Sequence, residues 1–325
     1  MFPARTTPRP RHRQGFTLIE LLMVVAVIAI LISILVPAVG GSITRARIAG
    51  VATEINQLDA AIAKFKADHN VEPPSSILLY ESHSGWSNTD ISTINSKAIL
   101  QQIWPQFNFT LDRDLNNDGN YSTNAIPVTG SECLVIFLGG LYTTSTTAGS
   151  PKFAMIGFSN DPTNPLAPFV AGAKRDAPLF EFQPNRLSDV DSDGIPEYLD
   201  SLPSQKSPYL YYSSYDGQGY NSAEFLLPAN TSVTYGLSTP YAQGINAGDP
   251  SWKPSSHQII SPGYDGIRGP LPTSTFANGP YGYGGAYLTS GTAHLPAASS
   301  GSPTAAQRIA EADNITNFSN GVLQP

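Results

Sequence analysis

The sequence predicts an α+β chain: a long N-terminal helix, half membrane-spanning and half amphipathic, packed on a C-terminal globular head rich in β-strands and loops. Three observations predict it. Phe16 to Val39 is an apolar run broken by one charge, Glu20. Val51, Ile55, Leu58, Ile62 and Phe65 then recur at spacings of 4, 3, 4 and 3, which lays them on one helical face. Beyond Pro73-Pro74 the chain carries short apolar or aromatic runs between Gly, Pro, Ser and Asn clusters, the pattern of strands and turns.

The first element is basic. Arg5, Arg9, Arg11 and Arg13 all precede the apolar run, and the positive-inside rule keeps them in the cytoplasm. The run itself, at roughly 1.5 Å per residue, is long enough for the ~30 Å hydrocarbon core of a bilayer. An ordinary secretory signal has an apolar region of only ~7–15 residues followed by a cleavage site. Here the Gly15-Phe16 junction precedes the run instead. A plain single-span anchor explains neither that glycine nor Glu20, because a carboxylate near the centre of a span costs at least ~2.5 kcal/mol. Residues 16–69 as one helix would be roughly 80 Å long. Pro37 and Gly40-Gly41 are where it would bend or locally melt, and His69-Asn70 before Pro73-Pro74 ends it. An anchor followed by a separate soluble helix is the other reading. Glu54, Gln57, Lys64 and Lys66 fall off the apolar stripe.

Residues 15–22, GFTLIELL, resemble the leader junction of type IV pilins and of the pseudopilins of type II secretion. The resemblance implies that a prepilin peptidase of the membrane cuts after Gly15 and that the new amino terminus, Phe16, is N-methylated. Glu20 matches the family's acidic residue. It would neutralise the α-amine of a neighbouring subunit, so that neither charge is left alone in low dielectric. ATEINQLDAAIAKFKADHN (52–70) is similar to the amphipathic half-helix of the major, G-type pseudopilins. The partners implied are further copies of the chain in a helical filament, other pseudopilins and the assembly platform. The place implied is a single pass of the bacterial inner membrane with the head in the periplasm.

In the head, Glu132–Leu138, Phe153–Phe158 and Ser207–Ser213 read as strands. Cys133 sits in the first of these runs. It is the only cysteine, so it forms no internal disulfide and reads as a small core residue. Tyr209, Tyr211 and Tyr212 read as strand packing. SPYLYYSS (207–214) and HQIISPGYDGIRG (257–269) resemble the paired C-terminal strands of G-type pseudopilins, and RIAEADNITNF (308–318) their closing acidic segment. The resemblance implies a Ca²⁺ site there that uses Asp265, Asp313 and Asn314. Two departures are the long Gly/Pro/Ser/Tyr-rich insertion between the loops and an asparagine where aspartate is usual.

A second metal signal is read from spacing. DVDSDGIPEYLD (189–200) places Asp189, Asp191 and Asp193 at loop positions 1, 3 and 5, Gly194 at 6, the Ile195 carbonyl at 7, Glu197 at 9 and Asp200 at 12. That order folds alternate oxygens around one Ca²⁺ while the glycine allows the turn; no helical EF-hand flanks are evident. A solvated acidic turn is the alternative. DRDLNNDGNYST (112–123) repeats the pattern with Asp114, Asn116, Asp118 and Gly119, near Asp112. Its twelfth position is Ala125, so ligation would need a distant carboxylate; an Asn/Asp/Gly turn suits the composition equally.

Without the four leader arginines, 14 of the 18 basic side chains remain against 25 acidic ones, which argues against a general nucleic-acid binder. With 28 Gly, 28 Pro and 13% charged residues, the exported part should be loop-rich. No Gly-x-Ser-x-Gly elbow, HExxH or P-loop is present, and GPYGYGGAY (279–287) lacks the setting of a nucleotide loop. Three functions stay open. One is a structural filament subunit. The second is a minor or tip subunit whose enlarged head binds substrate, surface or DNA, although the family's large tip subunit usually lacks the carboxylate matched by Glu20. The third is a peptidase-processed, membrane-anchored enzyme, which the absence of any catalytic constellation in the sequence argues against.

Overall fold

The structure is a computed structural model that describes residues 16–145, 152–190, 193–220, 240–241, 250–264, 313–319 and 323, with Pro37 and Ala38 by backbone only. The chain divides into two compact units, residues 1–46 and 47–325. The sequence divides it at 40 and again near 75; of the amphipathic half-helix expected over 40–70, the part from Arg47 onward belongs to the globular unit.

The first element, α1 (Leu18–His69), stays helical through Pro37 and Gly40-Gly41. Among the described residues it is the one helix long and apolar enough to cross a membrane. Its apolar side chains from Leu18 to Val36 are all exposed. The Ser33 and Thr44 hydroxyls return to carbonyls of their own helix, at Ile30 (2.7 Å) and Gly40 (3.3 Å). In lipid that leaves neither hydroxyl seeking water. α1 ends where Asn70 turns left-handed (φ 61°) and its N–H bonds Lys66 O at 2.8 Å, a helix stop.

In the globular unit the predicted stripe is the core face of α1: Val51, Ile55, Leu58, Ile62 and Phe65 are fully buried. Each such burial contributes about 1.5–3 kcal/mol. The elements that follow are β1 (Ile77–Leu79), α2 (Ile91–Ile103), β2 (Ile126–Val128), α3 (Gly130–Gly139), β3 (Leu141–Thr144), β4 (Phe153–Gly157), β5 (Leu187–Ser188), β6 (Glu197–Tyr198), β7 (Leu210–Ser213), β8 (His257–Ser261) and β9 (Ile315–Thr316). Among the described residues the strands form three antiparallel pairs, β1–β2, β3–β4 and β5–β6, and one three-stranded sheet, β7–β8–β9. In that sheet Tyr211 faces Ile259 and Ser261 faces Ile315.

The α+β class holds, but the head is more helical than the sequence suggests. Glu132–Leu138 is not a strand; it lies inside α3. Thr129 and Glu132 form a capping box that starts the helix, with the Glu132 carboxylate accepting from the Thr129 N–H (2.6 Å) and hydroxyl (2.8 Å). Every residue from Ser131 to Gly139 is buried, so no polar face betrays the helical period, and a short all-apolar run reads as a strand. Cys133 lies within this helix, fully buried, with its thiol donating to Val128 O at 3.4 Å. α2 was missed for a different reason. Its start is signalled by one residue, Asp90, whose carboxylate caps the Thr93 N–H at 2.8 Å. α3 meets α1 through Phe137 edge-on to Phe65, ring centres 5.9 Å apart, and Trp104 stacks on Phe137 from the end of α2.

Candidate functional site

At the N-terminus, Phe16 and Glu20 are exposed, and Gly15 lies outside the described residues. The Glu20 carboxylate accepts from the Thr17 N–H (2.8 Å) and hydroxyl (2.9 Å), while the Glu20 N–H donates to Thr17 Oγ1 at 3.3 Å. This reciprocal pair caps α1 at its first turn. An amine from another copy would therefore displace, or share, an acceptor already in use.

The two aspartate-rich loops, read separately from sequence, abut in the fold. Gly194 (φ 100°) packs so closely on Asn116 that a Cβ there would lie 2.8 Å from the asparagine Cβ. Tyr142 stands between the loops: its hydroxyl donates to Gly194 O (2.7 Å), and its own carbonyl accepts from Asn117 Nδ2 (3.0 Å). Burial pushes the Tyr142 phenol up, and the negative charges of Asp193, Asp189, Glu132 and Asp114 push it further.

In the first loop, Asp114 accepts from the Asp118 and Gly119 N–H groups (3.1 and 3.0 Å), and Asn116 Oδ1 from the Asp118 N–H at 3.0 Å. Asp112 faces away, holding His83 through its N–H (2.7 Å) and ring (2.9 Å). A carboxylate distant in sequence, that of Glu81, does lie against this loop. Oxygens of Glu81, Asp114 and Asp118 lie within 4.8 Å of one another. Glu81 is buried and accepts from Leu115 and Ser122 N–H groups, both at 3.1 Å. No local pattern marks it; only the fold brings the end of β1 to the loop.

In the second loop, Asp193 accepts from the Ile195 N–H, and Glu197 from the Val190 N–H, each at 2.8 Å. Asp191 lies outside the described residues. Asp189 has a side chain only 9% exposed; one oxygen meets Lys152 Nζ at 3.2 Å and the other is buried with no hydrogen-bond partner. Asp200 is already engaged elsewhere, accepting from the Leu202 N–H (2.9 Å), Gln205 (3.0 Å) and the Ser261 hydroxyl (2.5 Å). Burial pushes its carboxyl up in spite of those donors. The structure thus turns the twelfth position to β8.

Gln205 bridges Asp200 to Gly263 O at 2.9 Å, which brings Asp200 to the C-terminal loops instead. There Asp313 accepts from the Tyr264 N–H at 2.6 Å and packs on Gly263, whose φ of 68° no side chain would favour. Asn314 is buried and donates to the Tyr241 hydroxyl at 2.9 Å. Asp265 lies outside the described residues, as do 279–287 and the part of the closing segment up to 312.

Two polar pins join α1 to the rest of the head. Glu54, off the apolar stripe, is not solvated. Both its oxygens accept from Arg186 (2.6 and 2.5 Å), with Tyr198 (3.0 Å) and Tyr209 (2.6 Å) completing the set. Below it, His257 Nε2 meets Asp59 at 2.5 Å, Asn317 donates to the same oxygen at 3.0 Å, and Glu72 lies 3.9 Å from His257 Nδ1. Burial opposes the imidazolium, yet bonds and charge from Asp59 and Glu72 outweigh it and hold His257 above the ordinary range. Tyr209 thus aims its hydroxyl at the helix, whereas buried Tyr211 donates past the helix end to Pro73 O at 2.7 Å.

A family profile described as the prokaryotic N-terminal methylation motif matches residues 10–36. That match supports a type IV pilin-like protein with a prepilin leader. No curated protein and no solved structure matches the chain.

Proposed function

We propose that the protein is a structural subunit of a filament of the type II secretion pseudopilus or type IV pilus class. The observation that carries this reading is the methylation motif over residues 10–36, whose Gly15-Phe16 junction opens an apolar helix. An exposed apolar span needs an environment that other molecules supply: lipid first, then the helices of neighbouring copies. Prepilin peptidase removes residues 1–15, Phe16 is methylated, and the leader arginines keep the uncut end in the cytoplasm with the head in the periplasm. Glu20 then exchanges part of its bonding to Thr17 for the Phe16 amine of an adjacent copy, which fixes the axial register.

Intact-mass spectrometry of assembled material tests this. The expected mass lacks residues 1–15 and carries one added methyl; residues 1–15 still attached would sink the reading. Glu20→Leu should be cleaved and inserted normally but fail to assemble, and a normal filament yield would remove the pairing from the account.

We further propose that the head takes Ca²⁺ where its two acidic loops abut. Glu81, Asp114 and Asp118 are a carboxylate set of the hard-oxygen kind that calcium prefers, and the buried Asp189 oxygen is an acceptor in want of a donor or a cation. Asp193, the Ile195 carbonyl and Glu197 complete the second loop, with Asp200 left to the C-terminal sheet. A cation in the Asp313 and Asn314 region remains part of the proposal, with Asp200 near it.

A further inference from the structure

The second acidic loop already meets a cation from the chain itself. The Asp189 side chain is only 9% exposed; its Oδ1 is buried with no hydrogen-bond partner, and its Oδ2 meets Lys152 Nζ at 3.2 Å. Lys152 immediately precedes β4, where the Ser145 N–H donates to its carbonyl at 2.9 Å. Its backbone is thus fixed beside the loop, while its side chain stays 61% exposed. The ammonium rests over the Phe153 ring, 4.7 Å from the centre. Phe153 stands edge-on to Tyr142 at 5.4 Å, and the Tyr142 hydroxyl bonds Gly194 O. The lysine therefore reaches the loop from the same β3–β4 hairpin that braces it.

An ammonium and a metal ion answer this carboxylate differently. An ion pair with one partner largely in solvent is worth little, and Lys152 leaves Oδ1 without a donor. A calcium ion takes ~6–8 oxygens at ~2.3–2.6 Å and can hold a carboxylate by both of its oxygens. The two cations do not fit there together. An ion at that distance from Oδ2 lies within about 6 Å of Nζ, and like charges so near, beside a carboxylate withdrawn from water, repel. The flexible stem of a mostly exposed lysine lets its head leave.

We propose that Lys152 is a tethered competitor for calcium in the second loop: its ammonium balances Asp189 when the ion is away and is displaced from Oδ2 when the ion binds. The inference rests on the calcium reading and names how that site is regulated. Without metal the loop keeps its fold, because the buried carboxylate is never left wholly without a counter-charge. With metal, each binding event first breaks an ion pair, so the loop fills only at a higher calcium level than its oxygens alone would require.

Calorimetric titration of the full chain in detergent with calcium chloride tests this. Lys152→Met should bind calcium roughly fivefold more tightly than the wild type, about the whole worth of one such pair, and should melt lower in chelator. Lys152→Gln keeps a donor for Oδ2 without the charge, so it should fold like the wild type and still bind more tightly. Lys152→Arg should bind as the wild type does, and so should Lys174→Gln, the same loss of charge at an exposed position elsewhere. In an Asp189→Ala background Lys152→Gln should change nothing, because the pair is already gone. Unchanged or weaker binding in Lys152→Gln, an equal gain in Lys174→Gln, or a gain that survives Asp189→Ala would each overturn the displacement and leave the calcium reading standing. No calcium binding by the wild type or by Lys152→Gln would overturn the calcium reading, and this inference with it.

Discussion

The two halves of α1 face opposite problems. From Leu18 to Val36 every apolar side chain is exposed, whereas Val51, Ile55, Leu58, Ile62 and Phe65 are all buried against the chain's own head. Both stretches are helical and apolar on the relevant face, yet only one is completed by the molecule itself. The other has one charged group, Glu20, bonded no further away than Thr17. Carboxylates in the second half, Glu54 and Asp59, reach residues more than a hundred positions later. A residue of the first half should therefore govern assembly without touching head stability, and a residue of the second should do the reverse.

The largest expected effect breaks the second half. Glu54→Ala leaves Arg186 buried without its counter-charge and removes the acceptor of Tyr198 and Tyr209. Removing one partner of a buried pair costs roughly 3–5 kcal/mol, or about 10 °C in the melting of a domain this size. Glu20→Leu, measured the same way in detergent on the full chain, should leave the head transition where it was. Equal drops from the two variants would show that the halves are not energetically separate.

The calcium proposal sharpens the comparison, because it concerns the head alone. Binding to the folded state stabilises by about 2.7 kcal/mol at a hundredfold excess over Kd, and exported sites commonly bind in the ~10⁻⁴–10⁻³ M range. Chelator should lower the head transition, calcium should restore it, and magnesium should do so far less. Asp118→Ala and Asp189→Ala should each remove part of the response. The abutting loops predict that their combined loss departs from additivity, since contacting sites couple. A transition indifferent to chelator would reduce both loops to acidic turns. The experiment needs the chain from before Arg47 onward, because Val51 to Phe65 are core.

What could be read from the sequence follows from where each interaction lies along the chain. The α1 stripe has a period of its own and was legible residue by residue. So were the β4 and β7 runs, framed by turns, whereas β8 was expected from the resemblance. The aspartate loops were legible as loops, but not as neighbours, because nothing local places Asn116 against Gly194. Glu81, Arg186 and His257 were invisible as partners: each is one polar residue whose counterpart lies far away in sequence. α3 was misread because complete burial erased its amphipathic signature. Asp200 satisfied the spacing rule and still went elsewhere, since Ser261 and Gln205 offered it donors within a buried sheet.

The smallest expected effect concerns the pin between α1 and β8. His257 is held above its ordinary pKa against the opposing influence of burial, by Asp59 and Glu72. Its folded value thus lies above its unfolded one, near 6.5, so protonation favours the fold. That contribution is complete below the unfolded value and is lost as pH rises through the folded one. Asp59 and Glu72 work in the other direction. Burial would raise both, but His257, with Asn317 at Asp59 and Lys66 at Glu72, holds them low. Their contribution is lost as pH falls through the folded carboxylate values, well below neutrality. The other charged groups that meet this network are Lys66, paired with both Glu72 and Asp216, and Lys253, whose charge acts on Asp59. The head should therefore be most stable between the two limits. On the alkaline side it should lose about 1 kcal/mol, the size of one charge-assisted bond whose acceptor is partly open to solvent. His257→Asn should flatten that alkaline fall and leave the acid side partly in place, as read by melting temperature across pH. The same scan on Glu20→Leu should overlay the wild type at every pH, because the Glu20 carboxylate bonds within its own helical turn, to Thr17. An alkaline fall that survives in His257→Asn would move the titrating group away from this pin.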